Sequence, residues 1–420
     1  MENRRRRGFV WGLLVISVIC LFLFAPEKAR ADSSGTCGAD GYSVYWSLSN
    51  DGLLTVRGSG QMEEYINQNG APWFQAGQRY QIRSILIDSG VTKVGRYAFT
   101  NCPNLTDVTI AGEMRAIGDY AFSQCPNLLD VYIAEGSRAL TLGLNAFNSC
   151  KALQEISLPD NVTSIGQAAF AYCESLQQID LPARVTELPP RLFRRCYSLE
   201  SVTLPDNLTA IGERAFGDCE ALQEINLPIR VRTIGSYAFE NCASLADIAI
   251  PASIEEIAEG ICSGCAGLRT IHFRNGLLKV LARAFEKCTA LTDVYYAGSR
   301  ARWSSIMMTD FRAQISAQGI AVHCSDDASE EFLSVIEEVR MDGPRVFVTV
   351  SGEQGENLQL YTAFYDGTGR FLGLRVTETR AASTENMYTI ISFSGAERVK
   401  AMLLWPDFCP AAEAVEQTSA

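Results

Sequence analysis

Histidine is nearly missing from this chain, which has two, His272 and His323, among 420 residues. No H-E-x-x-H, G-x-S-x-G or P-loop pattern occurs, so the common metal, acyl-transfer and phosphate-binding arrangements lack their parts. Catalysis needs a full constellation of placed groups, and the expectation is a protein that is not an enzyme and takes no metal and no cofactor. Positive charge is in deficit as well: 36 Lys and Arg stand against 48 Asp and Glu, for a net charge of −12. Phosphate backbones and anionic membranes attract basic stripes, so neither nucleic acid nor a membrane surface is expected as a partner. A basic partner remains open. After Phe24 no apolar run approaches the roughly 20 residues that a bilayer span needs.

The one apolar run that exists lies at the start. Arg4 to Arg7 form a basic n-region, Val10 to Phe24 an apolar h-region and Ala29-Arg30-Ala31 an A-x-A cleavage site, the pattern of a secretory signal peptide over residues 1–31. Its removal leaves 30 basic against 46 acidic residues, a net charge of −16. The expected location is secreted, extracellular or at the cell surface, with no stable membrane insertion after cleavage.

What the chain has in abundance is cysteine in a ruled pattern. Cys102, Cys125, Cys150, Cys173, Cys196, Cys219, Cys242, Cys265 and Cys288 recur every 23 residues, with one interval of 25 after Cys125. Three residues before each stands a phenylalanine, from Phe99 to Phe285, except at Cys265, where Cys262 takes the place. Three residues after each stands a leucine. A period of this length marks a stacked array, in which each unit buries its apolar face only against its neighbours. Leu222, Ile225 and Leu227 have the spacing of a strand with apolar residues inward, so one strand per repeat should build a parallel sheet. Pro205, Pro228 and Pro251 should close their strands, because proline has no N–H for a ladder. The phenyl rings should form a spine under the sheet.

The unit Cys-x-x-Leu-x-x-Ile-x-Leu-Pro followed by Ile-Gly-x-x-Ala-Phe resembles the BspA-like leucine-rich repeats of bacterial surface proteins. The resemblance implies a leucine-rich-repeat horseshoe with its parallel sheet on the concave face over residues 82–297. It extends to a β-rich N-terminal capping segment, 32–81, through Trp46, Gly58-Ser59-Gly60 and Pro72-Trp73, and to a C-terminal cap, 298–325, through Val294-Tyr295-Tyr296 and Trp303. The role it implies is adhesion or protein recognition.

Identical positions in adjacent parallel strands lie about 4.8 Å apart with side chains pointing the same way, whereas a disulfide needs converging Cβ atoms about 3.8 Å apart. The nine repeat cysteines therefore read as a buried column of thiols, each able to meet a backbone carbonyl. Cys262-Ser263-Gly264-Cys265 spells C-x-x-C, but the repeat accounts for both cysteines, and no second pair follows to complete a zinc site. The pairing of Cys37, Cys324 and Cys409 is not legible.

From residue 326 to 420 the period ends. Arg345 to Val350, Leu358 to Tyr365, Phe371 to Val376, Met387 to Phe393 and Val399 to Trp405 alternate as strands do, which predicts a small antiparallel β-sandwich-like domain. Gly367-Thr368-Gly369 imitates a nucleotide loop but follows a strand with Asp366-Gly367 as a hairpin turn.

On each strand of the array, two residues point outward. The first such column contains Asp107, Asp130, Glu155, Glu224, Asp247 and Asp293, and the second contains Tyr132, Asp180, His272 and Tyr295. Stacked carboxylates repel, so this face is either merely solvated or kept for a cationic partner. Calcium is disfavoured, since it takes about six to eight oxygens and each repeat offers one or two. His272 and Asp293 fall in neighbouring repeats, and the plain reading of that histidine is a solvated surface residue. The leading expectation is an extracellular protein or peptide, basic in character, held on the acidic face. The alternative is an envelope or matrix spacer without a specific ligand.

Overall fold

A computed structural model describes residues 33–75 and 77–325 and the seven strands between Ser334 and Thr418. The expected signal peptide, residues 326–333 and Cys409 lie outside the described residues. The chain divides into two compact units. The first holds the chain up to Arg269 with Val280–Leu291 and Met308–Ala313; the second holds Thr270–Lys279, Thr292–Met307 and the chain from Gln314 on.

In the first unit, Ser33–Thr36, Val44–Leu48 and Leu53–Gly58 pair antiparallel, and Leu53–Gly58 then takes Ser84–Ile87, Asp107–Ile110 and Asp130–Ile133 as successive parallel neighbours. The sheet is less regular further along. Residue Glu155 makes a single bridge to Gln178, the strands Gln178–Asp180 and Ser201–Thr203 are three residues long, and 222–228 form no strand. Proline accounts for one missing rung. Where no proline follows the strand, the next residue adds a rung to the preceding repeat: Ala111 N donates to Ile87 O and Ala134 N to Ile110 O, both at 2.9 Å. At the equivalent places stand Pro159, Pro182, Pro205 and Pro228, which have no N–H to donate. Proline removes that rung but does not by itself set strand length, since Pro251 follows the four-residue strand Asp247–Ile250.

Each repeat also carries a second short strand that the sequence reading did not anticipate. Val91–Val94, Ala116–Ile117, Leu140–Leu142 and Val162–Ile165 form one parallel set, and Glu187–Leu188, Ala210–Ile211 and Thr233–Ile234 another. Where Leu140–Leu142 pairs with Val162–Ile165 the register shifts, and the buried ends of Val162–Ile165 stand three residues apart, which breaks the two-residue alternation by which strands are recognised. Except after Leu188, where Pro189 stands, a glycine follows and lies against the preceding repeat: a Cβ on Gly166 would sit 2.4 Å from the Gly143 carbonyl carbon, and one on Gly212 2.5 Å from Pro190 N. At these two places the approach leaves no room for a side chain.

The phenylalanine turn then returns the chain. Residues two before and two after each ring adopt positive φ, as at Tyr97 and Asn101 around Phe99 or Arg214 and Asp218 around Phe216. The alternation aims three N–H groups at the next repeat: Arg214 N reaches Ser236 O at 3.1 Å, Phe216 N reaches Ala238 O at 2.8 Å and Asp218 N reaches Glu240 O at 2.7 Å. The same three bonds recur from Tyr97 onward, and they hold the rings in a stack. Phe99, Phe122, Phe147, Phe170, Phe193, Phe216 and Phe239 lie 5.2 to 5.9 Å apart, their planes within 25° of parallel.

Beside the rings runs the thiol column. Cys219 Sγ donates to Phe193 O at 3.2 Å, and the sulfurs of Cys125, Cys150, Cys173, Cys196, Cys242 and Cys265 do the same to the preceding repeat's phenylalanine carbonyl. All are buried and free, as are Cys37 and Cys324. Burial pushes the Cys173 and Cys37 thiols up to about 12, so almost no thiolate is present at neutral pH.

Both ends of the array of turns are closed. Trp73 stacks on Phe99 at 5.1 Å and its Nε1–H donates to Ala98 O at 2.9 Å, supplying the ring and the donor that a preceding repeat would give. At the other end Phe311 packs on Phe285 at 4.6 Å, and the Asp310 carboxylate accepts from Arg283 N at 2.9 Å.

In the second unit, Thr270–Phe273, Asp293–Tyr296 and Ala321–Cys324 pair parallel, with Trp303 packed on Tyr296 and Phe273 beneath them. Two antiparallel sheets follow. Arg345–Gly352 lies between Ser334–Asp342 and Asn386–Ile391, and Asn357–Tyr365 lies between Phe371–Arg380 and Arg398–Leu404, with Val415–Thr418 outside. Ser334–Asp342 escaped the sequence reading because a register shift between Ile336 and Glu338 breaks its alternation.

Candidate functional site

The candidate face consists of the residues that alternate with buried ones. Val108, Ile110, Val131 and Ile133 enter the core, which leaves Asp107, Thr109, Asp130 and Tyr132 outward. In-register pairing sets Asp107 beside Asp130 and Thr109 beside Tyr132. Side chains so placed are about 5 Å apart, and the charges feel each other. The Asp130 carboxyl is pushed above its ordinary value, first by burial and then by the negative charges of Asp107 and Glu155. Tyr132, 46% exposed, offers a ring at the side of this acidic trio.

Beyond Glu155 the carboxylates are spaced out. Gln178 and Ser201 take the first column and Asp180 and Thr203 the second, with the Thr203 hydroxyl donating to Asp180. Glu224 is exposed but lies in the segment without a strand, and Asp247 is exposed at the start of Asp247–Ile250. Of the expected acidic column, the structure brings Asp107, Asp130 and Glu155 together as one run and sets Glu224 and Asp247 apart from it.

The second unit carries a different face. Parallel register aligns His272, Tyr295 and His323. Their rings stack, His272 on Tyr295 at 4.9 Å and Tyr295 on His323 at 4.5 Å. Asp293, expected near His272, has its Oδ1 2.8 Å from His323 Nε2. His323 was missed as a site residue because its strand falls beyond the last cysteine-marked repeat; the alternation of Val322 and Cys324 around it was the available signal.

The Thr292 hydroxyl, and then His323, hold the Asp293 carboxyl below the usual carboxylate range. A lowered carboxyl contributes stability above its unfolded value of about 3.9 and loses it as pH falls through the folded value. Asp293→Asn should therefore lower the urea midpoint near neutral pH and leave it unchanged in acid below the folded value, where both states are protonated. An equal loss at both pH values would show that the aspartate acts through packing alone.

Among the described residues, no three or more His, Cys, Asp or Glu are grouped to hold a metal ion, and no helix is long and apolar enough to cross a membrane. The chain resembles several solved structures in its repeats. A leucine-rich repeat protein from Eubacterium ventriosum is 25% identical over 62% of this chain and 84% of that one, with a TM-score of 0.40. A leucine rich cell surface protein from Faecalibacterium prausnitzii is 22% identical over 67% and 99%, with a TM-score of 0.32. The pneumococcal vaccine antigen PcpA is 14% identical over 70% and 99%, with a TM-score of 0.35. No curated protein matches the chain. The family model for the BspA type leucine-rich repeat region matches residues 75–200 and 186–306, in six copies. That match spans more than half of the chain and the same residues that carry the phenylalanine stack, the thiol column and the paired short strands, and so the chain belongs to the BspA-type leucine-rich repeat family.

Proposed function

We propose that this is a secreted or cell-surface recognition protein that holds a basic protein or peptide on the acidic outward face of its first unit. The family is one of non-enzymatic, protein-binding repeats, and the signal-peptide pattern in residues 1–31 supports export. The observation that carries the reading is the run Asp107, Asp130 and Glu155: in-register strands set Asp107 beside Asp130, and burial and then the charges of Asp107 and Glu155 raise the central carboxyl. Neither outward column has a Lys or Arg, so the face carries no compensating charge of its own. A cationic partner would relieve that repulsion and be steered toward it. Tyr132 supplies an amphipathic ring of the kind that anchors interfaces.

The test replaces Asp130, Glu155 and Glu224 by Asn or Gln. These side chains are exposed, so the fold should persist. Captured basic partners should associate more slowly, and the wild-type complex should weaken as salt rises and the Debye length falls toward about 3 Å at 1 M. If the triple variant captures the same partners with the same salt dependence, the face is merely solvated and the array is a spacer or binds elsewhere.

A further inference from the structure

The repeat that carries Cys262 departs from its eight neighbours at three coupled places. Its ring position holds a thiol, so Phe239 meets Phe216 at 5.4 Å on one side and no phenyl from the next repeat on the other. Both of its positive-φ positions are glycine, Gly260 and Gly264, whereas all sixteen equivalent positions elsewhere in the array carry side chains. Its ladder cysteine, Cys265, has a second thiol three residues before it, and both are buried and free. A solenoid is held by nearest-neighbour terms, and the loss of a ring weakens two of them. Glycine, which loses the most freedom on folding, lowers the cost of opening this turn again. The Tyr237 ring lies over Gly260 and would clash with any side chain there, so one glycine also seats the closed form.

The geometry points to Cys262 and Cys265 as a redox-modifiable dithiol that small-molecule disulfides convert to an intramolecular disulfide. Cys265 N donates to Cys262 O at 3.1 Å. A turn closed in this way keeps its end Cα atoms within about 7 Å, and disulfides span about 4.4 to 6.8 Å. The other ladder thiols meet only across repeats, with parallel side chains. On opening, one thiol attacks the disulfide RSSR and releases RSH, which leaves the protein as a mixed disulfide. The second thiol then displaces the other RSH, so two S–H bonds and one S–S bond become one S–S bond and two small thiols. Oxidation draws Cys265 Sγ from its bond to Phe239 O, now 3.0 Å, and so removes one rung of the thiol column.

The full-length folded protein is treated with cystamine, quenched in acid, unfolded and alkylated, and its cysteine peptides are mapped by mass. Cys262 and Cys265 should escape alkylation together, lighter by two hydrogens, about tenfold sooner than Cys196 and Cys219, which must await a rarer opening. Equal rates for all four, or a link between Cys265 and Cys242, overturn the proposal. Cys262→Phe restores the ring and should leave Cys265 as slow as Cys219, with Cys262→Ala as the check if the larger side chain prevents folding. Oxidation of Cys265 at the wild-type rate in Cys262→Phe overturns it equally; Cys262→Ala leaves the ring absent, so there Cys265 should be blocked only as a mixed disulfide with cysteamine, and a link from it to another cysteine overturns the proposal.

Discussion

Phe216→Ala is expected to cost about 3 to 5 kcal/mol, the range for emptying a buried aromatic site. The ring is fully buried between Phe193 at 5.5 Å and Phe239 at 5.4 Å, so the cavity opens on two other repeats and neither can collapse into it without leaving its own stack. Hydrogen exchange should speed at the amides of Phe193, Phe216 and Phe239, which link these turns, before it speeds elsewhere. Protection lost only in the mutated repeat would mean that the rings fill space without coupling the units. Phe147→Ala should behave alike, since its two ring neighbours lie at 5.3 and 5.6 Å.

Trp73 is the second position where a large effect is expected. Its two contributions can be separated, because Trp73→Phe keeps a ring for Phe99 and removes the N–H, whereas Trp73→Ala removes both. Leaving the buried Ala98 carbonyl without its donor should cost about 1 to 3 kcal/mol, and losing the side chain as well about 3 to 5 kcal/mol. Thermal unfolding should become broader as well as lower, because a solenoid without its terminal cap frays from that end. A Trp73→Ala protein with wild-type amide protection at Phe99 and Asn101 would refute the capping role.

The repeat was legible because its period is set by apolar positions that never trade places. Phenylalanine, cysteine and leucine occupy sites with no solvent on any side, so the sequence shows them as a ruler. Pro72-Trp73 lies before the first repeat cysteine, Cys102, and outside the period, and only the family resemblance drew it out. The second short strand was not legible, because its buried residues, such as Val91 and Val94, stand three apart. The acidic face was half legible. Alternation gave Asp107 and Asp130 the outward positions they occupy, but it gave no sign of the unformed strand around Glu224, since a proline follows that segment and the formed strand Asp247–Ile250 alike. The partnership of Asp293 with His323 crosses from a marked repeat to an unmarked strand, where no ruler runs.

The polarity of the turn edge has a consequence for how such a molecule can vary in length. Every turn offers three donors forward and three acceptors backward, so any turn docks on any other, and the two ends need to answer only the first acceptors and the last donors. The interval of 25 residues after Cys125 shows the tolerance of the scheme: two additional residues leave Phe122 and Phe147 5.3 Å apart and Cys150 still bonded to Phe122 O at 3.2 Å. Whole turns are therefore interchangeable parts. A descendant gene could gain or lose one between Trp73 and Asp310 without redesigning either end, and the number of carboxylates displayed could change by duplication rather than by substitution.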